Sequence, residues 1–382
     1  MDNFFASFRM HIHIEPQLLE NIPNLLADAG LQGRVLLVSD SNTWKAAGAA
    51  VYPLLSAQQP VIRAHLEAEV LPSLAVTRRL IALAEDVDFL LAVGSGTIND
   101  LTKYTAHQLG KPYGVVATAA SMNGYAAANA SLWDGPHKTS LAATPPAIIF
   151  ADMDVLAAAP TDLTASGVGD MLCRSTVEAD CKLAHLLFDS EFSAHAFADF
   201  RNYEPQLGNV ESLMRALICG GEWMTKTGSS AVASQGEHMI AHTIETLYPE
   251  GVRGVTHGQL VAVTSLAMAR HQFSLLDTIP ILNPLQTPPA AFASSFVEKW
   301  QKEATDDLNR KLHNIWPQLR EYIMQYCHKP ETLEAMLKKA NAPTRPEEIG
   351  LTREQFETAC EYARFSRDRF TFLDLTPKSQ GL

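Results

Sequence analysis

Three histidines and one aspartate in the second half of the chain have the types and spacing of metal ligands. His238 and His242 stand four residues apart, so one face of a helix would carry both imidazoles. His257 opens another predicted helix after a glycine-containing loop, and Asp170 lies in a Gly-Val-Gly-Asp sequence near the start of an earlier one. Histidines often only pack, and a carboxylate in the first helical turn often only offsets the helix dipole. Because these residues are grouped closely in the sequence, a metal site is as well supported as these structural roles.

A site of one carboxylate and two imidazoles leaves a coordination position open for a substrate oxygen, as in catalytic rather than structural zinc sites. The sequence lacks the main hydrolase motifs. Met239 occupies the place of the general-base glutamate in H-E-x-x-H, and there is no G-x-S-x-G nucleophile elbow. Peptidase and serine-hydrolase functions therefore lose their main support.

A glycine-rich turn, Gly94–Asp100, follows one predicted strand and precedes a predicted helix over 98–109. Thr97 and Asp100 have the spacing of a capping box, which predicts the helix start, and Gly110 predicts its end. Free amides and the helix dipole at such a turn favour a bound phosphate. The alternative is a plain βα turn that needs glycine for its backbone angles.

The usual dinucleotide fingerprint is incomplete in this turn. Asn99 stands where G-x-G-x-x-G has its third glycine, and no Walker A motif is present. A cofactor diphosphate would therefore bind in a different βα arrangement. Asp40, at the end of an earlier predicted strand, can accept hydrogen bonds from an adenosine ribose and would repel a 2′-phosphate. Alternatively, it simply caps the next helix.

The elements that must position these residues change character half-way along the chain. Short continuous apolar runs predict strands of a parallel sheet covered on both faces, alternating with helices. These runs lie at 34–40, 87–93, 112–118 and 147–150. Long amphipathic helical patterns follow, at 167–187, 210–227, 234–248, 260–271 and 294–327. The proline-rich stretch 279–289 predicts a loop, and we expect an α/β domain over 1–165 and an all-α domain over 166–382.

Composition excludes several classes of function. The chain has 382 residues, and its 30 Lys and Arg against 42 Asp and Glu give a net charge of −12 without a basic cluster, which argues against a nucleic-acid partner. No apolar window is long enough for a membrane span, and Met1–Ile14 lacks the features of a signal peptide. The five cysteines form no C-x-x-C pair. We expect reduced thiols in a cytoplasmic protein with no membrane partner.

Seven segments in order resemble the iron-containing alcohol dehydrogenase and dehydroquinate synthase superfamily, most closely its glycerol-1-phosphate dehydrogenase branch. They are Ser39–Thr43, Gly94–Asp100, Thr118–Gly124, Ala151–Ala157, Gly167–Met171, Glu237–His238 and Thr256–Gly258. The resemblance implies a dehydroquinate synthase-like fold, with an α/β N-terminal nucleotide-binding domain and an all-α C-terminal metal-binding domain. It also implies a small-molecule substrate bound in the cleft between these domains, and we expect a homo-oligomer.

Positions carried over from the family imply the following roles. Asp170, His238 and His257 look like the ligands of one divalent metal, and His242 like a neighbouring catalytic group. The implied dinucleotide contacts are Asp40, Asn42, Gly94, Ser95, Gly96, Thr97, Asp100, Thr118 and Ser121. The implied cofactor is NAD, with NADP as the alternative, and zinc is the default metal, with nickel or iron as alternatives.

Some positions depart from the family pattern. Asn123 replaces an aspartate expected near the substrate hydroxyls, which removes a charge and adds a donor. Arg174 replaces a common lysine, and Cys181 stands where an aromatic residue is frequent. Arg174 and Lys138 are the cations predicted to bind a substrate phosphate, whereas Lys103 is expected to be merely exposed on the helix after the glycine turn.

The resemblance implies an NAD(P)-dependent dehydrogenase that interconverts a small phosphorylated polyol and its ketone, with glycerol 1-phosphate and dihydroxyacetone phosphate as the expected pair. His242, or a water that it holds, would relay a proton, and Asn123 would contact the substrate; alternatively, His242 only packs beside the site. Two other functions stay open. A dehydroquinate-synthase-like lyase would use NAD without net turnover, although Asp170 stands where the synthases have glutamate. The other is a nucleotide-binding protein that has lost catalysis.

Overall fold

A computed structural model describes residues 10–67, 70–135, 137–283, 289, 292 and 305–377. These residues form two compact units. The first comprises the described parts of Met1–Gly167 and Pro205–Gly228, and the second those of Val168–Glu204 and Ser229–Leu382. The chain thus passes from one unit to the other after Gly167, Glu204 and Gly228. The division into domains 1–165 and 166–382 stays a prediction.

Among the described residues of the first unit, six strands form a parallel sheet and two form an antiparallel hairpin. The sheet has the order β1-β8-β5-β4-β2-β3, and the hairpin pairs β6 with β7. The strands are β1 (His11–Glu15), β2 (Val35–Asp40), β3 (Val61–Leu66), β4 (Phe89–Gly94), β5 (Tyr113–Ala117), β6 (Asn129–Asp134), β7 (His137–Ala142) and β8 (Ile148–Asp152). The strands predicted at 34–40, 87–93, 112–118 and 147–150 are confirmed as β2, β4, β5 and β8.

Burial explains which strands the sequence predicts. Every residue of β4, β5 and β8 is buried, and apart from Asp152 at the end of β8 these strands are continuous runs of apolar or small residues. The edge strands β1 and β3 were not predicted. In β3, Arg63 and His65 alternate with the partly or fully buried positions, and β1 carries two partly exposed histidines. One-sided burial at the sheet edges therefore breaks the apolar pattern.

The described helices lie in both units. They are α1 (Ile22–Asp28), α2 (Ser41–Thr43), α3 (Ala49–Ser56), α4 (Leu74–Leu83), α5 (Gly96–Leu109), α6 (Met153–Ala157), α7 (Thr161–Leu172), α8 (Arg174–Phe188), α9 (Ala194–Tyr203), α10 (Val210–Thr227), α11 (Gly236–Leu247), α12 (His257–Ser274), α13 (Thr305–Tyr326), α14 (Pro330–Lys339) and α15 (Arg353–Tyr362). A π-helical turn, Trp44–Gly48, joins α2 to α3. In the part of the chain that the structure describes, no helix is both long and apolar enough to cross a membrane.

Two sequence predictions for the helical half need correction, and a third is described only in part. The single helix predicted over 167–187 is two helices, α7 and α8, which meet at Cys173. Asp170 consequently lies in the last turn of α7 and not in a first turn. The helix predicted over 294–327 is confirmed over its described part as α13, Thr305–Tyr326, and residues 294–304 lie outside the described residues.

The proline-rich stretch was predicted as a loop over 279–289, and this is only partly right. Ile281–Leu282 form a short strand, β9, which pairs antiparallel with β10 (Leu375–Thr376). Residues 284–288 of the stretch lie outside the described residues. The pairing ties the segment after α12 to the C-terminal part of the second unit.

Candidate functional site

Three side chains of the second unit converge on one point. Asp170 lies in the last turn of α7, His238 in the first turn of α11, and His257 is the first residue of α12. A capping box of Thr256 and Gln259 marks the start of α12. One ligand atom of each of the three residues lies within 4.8 Å of the other two, and Asp170 Oδ1 is 3.7 Å from His238 Nε2. The structure thus brings together the three residues predicted as metal ligands.

A glycine contact allows two of these helices to touch. A Cβ atom on Gly169 would lie 2.3 Å from the carbonyl oxygen of Gly258. Because neither residue has a side chain, the backbones of α7 and α12 meet directly. Asp170 directly follows Gly169 in the sequence, and His257 directly precedes Gly258. The close approach of the helices therefore positions one ligand next to the other.

A buried glutamate orients the His238 imidazole. Glu237 Oε1 is 2.8 Å from His238 Nδ1 and accepts a hydrogen bond from Gln235 N at 2.8 Å, while Thr176 Oγ1 donates to Oε2 at 3.3 Å. With the Nδ1 side held by this carboxylate, Nε2 is the ring atom that faces Asp170. Burial lowers the pKa of His238, although Glu237 opposes the shift, and the ring therefore stays in the neutral form that binds metals.

Replacing Glu237 by glutamine is expected to weaken zinc binding roughly 10- to 100-fold, the typical effect of losing such a partner behind a metal ligand. The amide keeps the side chain's size, but it removes the charge that orients the His238 N–H. A competition titration with a zinc chelator measures the change. Glu250→Gln is the control, because the Glu250 side chain is 86% exposed. Equal zinc affinity in the two variants would contradict this role of Glu237.

His242 lies beside the three converging residues. Its Nδ1 is 2.9 Å from Glu245 Oε2, and its ring centroid is 5.8 Å from that of His257, with 25° between the ring planes. The Glu245 carboxylate thus holds one ring nitrogen and directs Nε2 away from itself. This arrangement suits a proton-carrying group, and the catalytic role of His242 stays a prediction.

The donor set fits a divalent transition metal. One carboxylate and two imidazoles are ligands that zinc, iron(II) and nickel all accept. Cys173, Glu237 and His238 form a second group with ligand atoms within 4.8 Å of one another. Burial raises the pKa of the Cys173 thiol well above its usual range, and Glu237 is already engaged by hydrogen bonds. The set of Asp170, His238 and His257 is therefore the better metal site.

The predicted glycine turn lies at the carboxyl end of β4, in the first unit. Helix α5 begins at Gly96 and ends before Gly110, which has the left-handed conformation expected of a C-terminal glycine. A Cβ atom on Gly94 would lie 2.5 Å from the Ile98 side chain, so tight strand-to-helix packing is one reason for this glycine. The first amides of α5 have no partner within the helix and can serve an anion.

The capping box predicted for this helix is wrong. Helix α5 starts before Thr97, its cap residue is Ser95, and the Ser95 side chain makes no capping bond. The Asp100 carboxylate instead accepts a hydrogen bond from Ser131 N at 2.9 Å, which ties α5 to β6. A contact between Asp100 and the cofactor stays a prediction.

Lys103 is buried, and the expectation of an exposed lysine is wrong. Its Nζ donates to the carbonyl oxygens of Gly124 at 2.5 Å and Asn129 at 3.0 Å, and it lies 3.5 Å from Asp100 Oδ1. Burial lowers the pKa of Lys103, against the influence of Asp100. The lysine fastens the segment 124–129 to helix α5.

The other predicted dinucleotide contacts of the first unit cluster at the carboxyl ends of neighbouring strands. Thr118 N donates to Gly94 O at 3.3 Å, and Ser121 Oγ donates to Ser95 Oγ at 3.3 Å. The loops after β4 and β5 therefore lie side by side, at the edge where open α/β sheets bind ligands. Their contact with a cofactor stays a prediction.

Asp40 caps the helix that follows it. Its Oδ1 accepts hydrogen bonds from Asn42 N at 2.8 Å and Thr43 N at 2.7 Å, and Thr43 completes a capping box with the backbone of Asp40. The capping alternative is thus confirmed. The predicted contacts of Asp40 and Asn42 with a cofactor ribose stay predictions.

The predicted substrate residues lie in both units. Asn123 follows Ser121 in a turn, where its carbonyl oxygen would be 2.8 Å from a Cβ atom placed on Gly221. Lys138 lies on β7 opposite Trp133. Arg174 is the first residue of α8 and is only 2% exposed. Their roles toward a substrate stay predictions.

Sequence reasoning missed the two carboxylates that support the histidines. Glu237 directly precedes His238, and Glu245 lies three residues after His242, on the same helical face. This proximity in the sequence is the signal that could have identified both. The helix contact at Gly169 carries no such local signal, because its partner lies on another helix.

Comparison with known proteins agrees with this geometry. The family described as iron-containing alcohol dehydrogenase matches residues 13–160. A relative from Methanosarcina barkeri, named glycerol-1-phosphate dehydrogenase (NAD(P)+), is 31% identical over 269 residues, which are 66% of this chain and 73% of the relative. The chain belongs to this glycerol-1-phosphate dehydrogenase family.

Other members of the glycerol-1-phosphate dehydrogenase family match over more of the chain. The relative of the same name from Geobacillus thermodenitrificans is 28% identical over 361 residues, covering 89% of this chain and 85% of the relative. Among solved structures, an archaeal alcohol dehydrogenase from a Red Sea brine pool has a TM-score of 0.62 at 16% identity and covers 93% of this chain and 91% of its own. An NADH-dependent butanol dehydrogenase from Thermotoga maritima has a TM-score of 0.59 at 16% identity, with 96% and 92% covered. These structures confirm the expected dehydroquinate synthase-like fold.

Proposed function

We propose that the protein is an NAD(P)-dependent, metal-dependent dehydrogenase that interconverts glycerol 1-phosphate and dihydroxyacetone phosphate. The observation that carries this proposal is the convergence of Asp170, His238 and His257 in a member of the glycerol-1-phosphate dehydrogenase family. Oxidation of the secondary alcohol transfers a hydride to NAD(P)+ and releases one proton. Reduction of the ketone reverses both transfers.

The three converging residues are the proposed ligands of one divalent cation. Such a cation, when bound, acts as a Lewis acid that polarises the substrate oxygen. Glu237 keeps Nε2 of His238 directed at Asp170, so the ligands are oriented before the ion arrives. Zinc is the proposed metal, because catalytic zinc sites commonly have three protein ligands of the imidazole and carboxylate types and keep a fourth position open for substrate.

His242 is the proposed proton carrier. Glu245 holds its Nδ1 at 2.9 Å, and Nε2 is the ring atom proposed to exchange a proton with the substrate hydroxyl, directly or through water. Asn123 is proposed to donate a hydrogen bond to a substrate hydroxyl, where an aspartate could only accept one.

The proposed cofactor site is the pair of adjacent loops in the first unit. The amides of Gly94–Thr97 would bind the diphosphate, and Thr118 and Ser121 would contact the ribose and nicotinamide portions. Asp40 uses Oδ1 to cap α2, so Oδ2 is the oxygen proposed to accept from the adenosine ribose.

The protein is further proposed to be a cytoplasmic homo-oligomer. All five cysteines are described and none forms a disulfide, which supports a reducing compartment such as the cytoplasm.

Removing the metal from the purified protein is expected to abolish catalysis. We expect oxidation of NADH or NADPH with dihydroxyacetone phosphate to fall at least about a hundredfold after chelation and to recover on adding zinc, since Lewis-acid stabilisation supplies several kcal/mol. Absorbance of the reduced nicotinamide measures the rate. Activity that survives complete metal removal would contradict the proposal. Phosphate release at constant absorbance would indicate a lyase.

A further inference from the structure

Arg174 is a buried cation with an unusual environment. It is the first residue of α8 and only 2% exposed. Its guanidinium carbon lies 4.7 Å from the centre of the Phe200 ring, which holds the group by a cation–π contact. None of its Nε, Nη1 and Nη2 atoms has a hydrogen-bond partner among the residues that the structure describes. The guanidinium group of Arg174 is therefore fixed by packing, while its N–H donors have no acceptor among the described residues.

Other arginines of the second unit have polar partners. Arg201 bonds both carboxylate oxygens of Glu178 at 2.5 Å. Arg364 lies 3.4 Å from Asp374 Oδ1. Arg369 donates to Ser230 Oγ at 2.8 Å. The neighbouring parts of the same unit thus satisfy their guanidinium groups, and Arg174 stands apart from this pattern.

A buried guanidinium without an anion is unfavourable, because burial removes its hydration and nothing replaces it. Arg174 must therefore be retained at an energetic disadvantage in the ligand-free protein. An anionic ligand with several acceptor oxygens would remove that disadvantage. A phosphate monoester matches the planar fork of arginine through two parallel N–H···O bonds.

The position of Arg174 connects it with the proposed metal site. It follows Asp170 by four residues, about one helical turn further along the chain. Arg367 Nη1 lies 3.3 Å from Ser234 Oγ, two residues before α11 begins. Arg367 is therefore held beside the start of α11, the helix that carries His238.

We propose that Arg174 is the principal binding group for the substrate's phosphate, with Arg367 as a second cation. The proposal rests on the proposed function and deepens it, since it predicts a preference for a phosphorylated ketone over the free one. It also assigns a role to the C-terminal segment that carries Arg367. The phosphate would supply the acceptors that the Arg174 guanidinium lacks and would fix the distance of the carbonyl from the metal ligands.

Arg174→Met tests this assignment in the zinc-loaded, full-length protein. Methionine has a similar length, keeps the contact with Phe200 and removes an uncompensated charge, so we expect the melting temperature to stay equal or to rise. The specificity constant kcat/KM for dihydroxyacetone phosphate should fall roughly a hundredfold, and that for dihydroxyacetone less than about threefold. Arg215→Met, which removes an exposed arginine paired with Glu211, is the matched control and should change neither value.

Equal losses with both ketones would overturn the assignment, because they would indicate general disruption and not loss of phosphate recognition. Inorganic phosphate supplies a readout that does not depend on activity. Millimolar phosphate should raise the melting temperature of the wild type and the Arg215→Met control, but not of Arg174→Met. An equal shift in all three proteins would also overturn it.

The two proposals can fail separately. If the wild type reduces neither ketone, the proposed dehydrogenase function fails, while the phosphate shift still decides whether Arg174 binds phosphate. If Arg174→Met does not fold, Arg174→Lys replaces it. Lysine keeps the charge but loses the fork, so an intermediate loss confined to the phosphorylated ketone supports the assignment, and unchanged discrimination between the ketones overturns it.

Discussion

Replacing Asp170 by asparagine is expected to reduce kcat/KM for dihydroxyacetone phosphate about a thousandfold and to leave the purified protein almost free of zinc. Asparagine has the same shape but lacks the charge that makes a carboxylate a strong metal ligand. Loss of a Lewis acid that supplies about 4 kcal/mol corresponds to a factor of roughly a thousand. Elemental analysis and the reduced-nicotinamide assay on the same preparation measure the two effects together.

Asp162→Asn is the control for this substitution, because it makes the same change on the same helix. Asp162 is exposed in the first turn of α7, where loss of a charge removes only about 0.3–1 kcal/mol of helix-dipole stabilisation. Its zinc content and kcat/KM should equal those of the wild type. An Asp170→Asn protein that keeps one zinc ion and full activity would remove Asp170 from the metal site.

The central sheet was predictable because its strands are buried on both faces. Continuous apolar runs mark β2, β4, β5 and β8, and such runs do not depend on which neighbour packs against them. The edge strand β3 alternates exposed Arg63 and His65 with apolar residues, so it lacks a continuous apolar run. The β6–β7 hairpin lies outside the sheet and was not predicted. The sequence therefore predicted the strands that are buried on both faces and not the others.

The metal site was predictable where its residues are neighbours in the sequence or carry a motif. The spacing of His238 and His242 indicates one helical face, and the structure places both on α11. The position of Asp170 within its helix was wrong, since the two glycines before it were interpreted as a helix start. Both glycines lie inside α7, where Gly167 and Gly169 are in close contact with the backbone of other segments. The local sequence does not reveal these contacts.

The hydrogen-bond partners of side chains were also hard to predict when they lie on distant segments. Thr97 and Asp100 have the spacing of a capping box, yet Asp100 bonds Ser131 on the hairpin. Lys103 was expected to be exposed, but carbonyl groups of the segment 124–129 surround its ammonium. Tertiary partners can outweigh local propensity in both cases, because a buried polar group must find whichever partner the fold brings near.

Replacing Gly169 by alanine is expected to destabilise the protein and to weaken zinc binding by at least about tenfold, although helix propensity alone favours alanine by roughly 1 kcal/mol. The new Cβ atom would lie 2.3 Å from Gly258 O. Neither group is the end of a flexible side chain, so α7 and α12 must separate, and such overpacking costs about 1–3 kcal/mol. Separation moves Asp170 away from His257, which couples the loss of stability to the loss of metal.

Gly208→Ala is the matched control, because nothing lies within 4 Å of a Cβ atom placed on Gly208. Thermal melting with and without zinc measures both effects in each variant. We expect zinc to raise the melting temperature of Gly208→Ala as it does for the wild type, and to raise that of Gly169→Ala much less. If Gly169→Ala were instead more stable and bound zinc normally, helix propensity would outweigh the steric conflict. The contact with Gly258 would then not be what brings the metal ligands together.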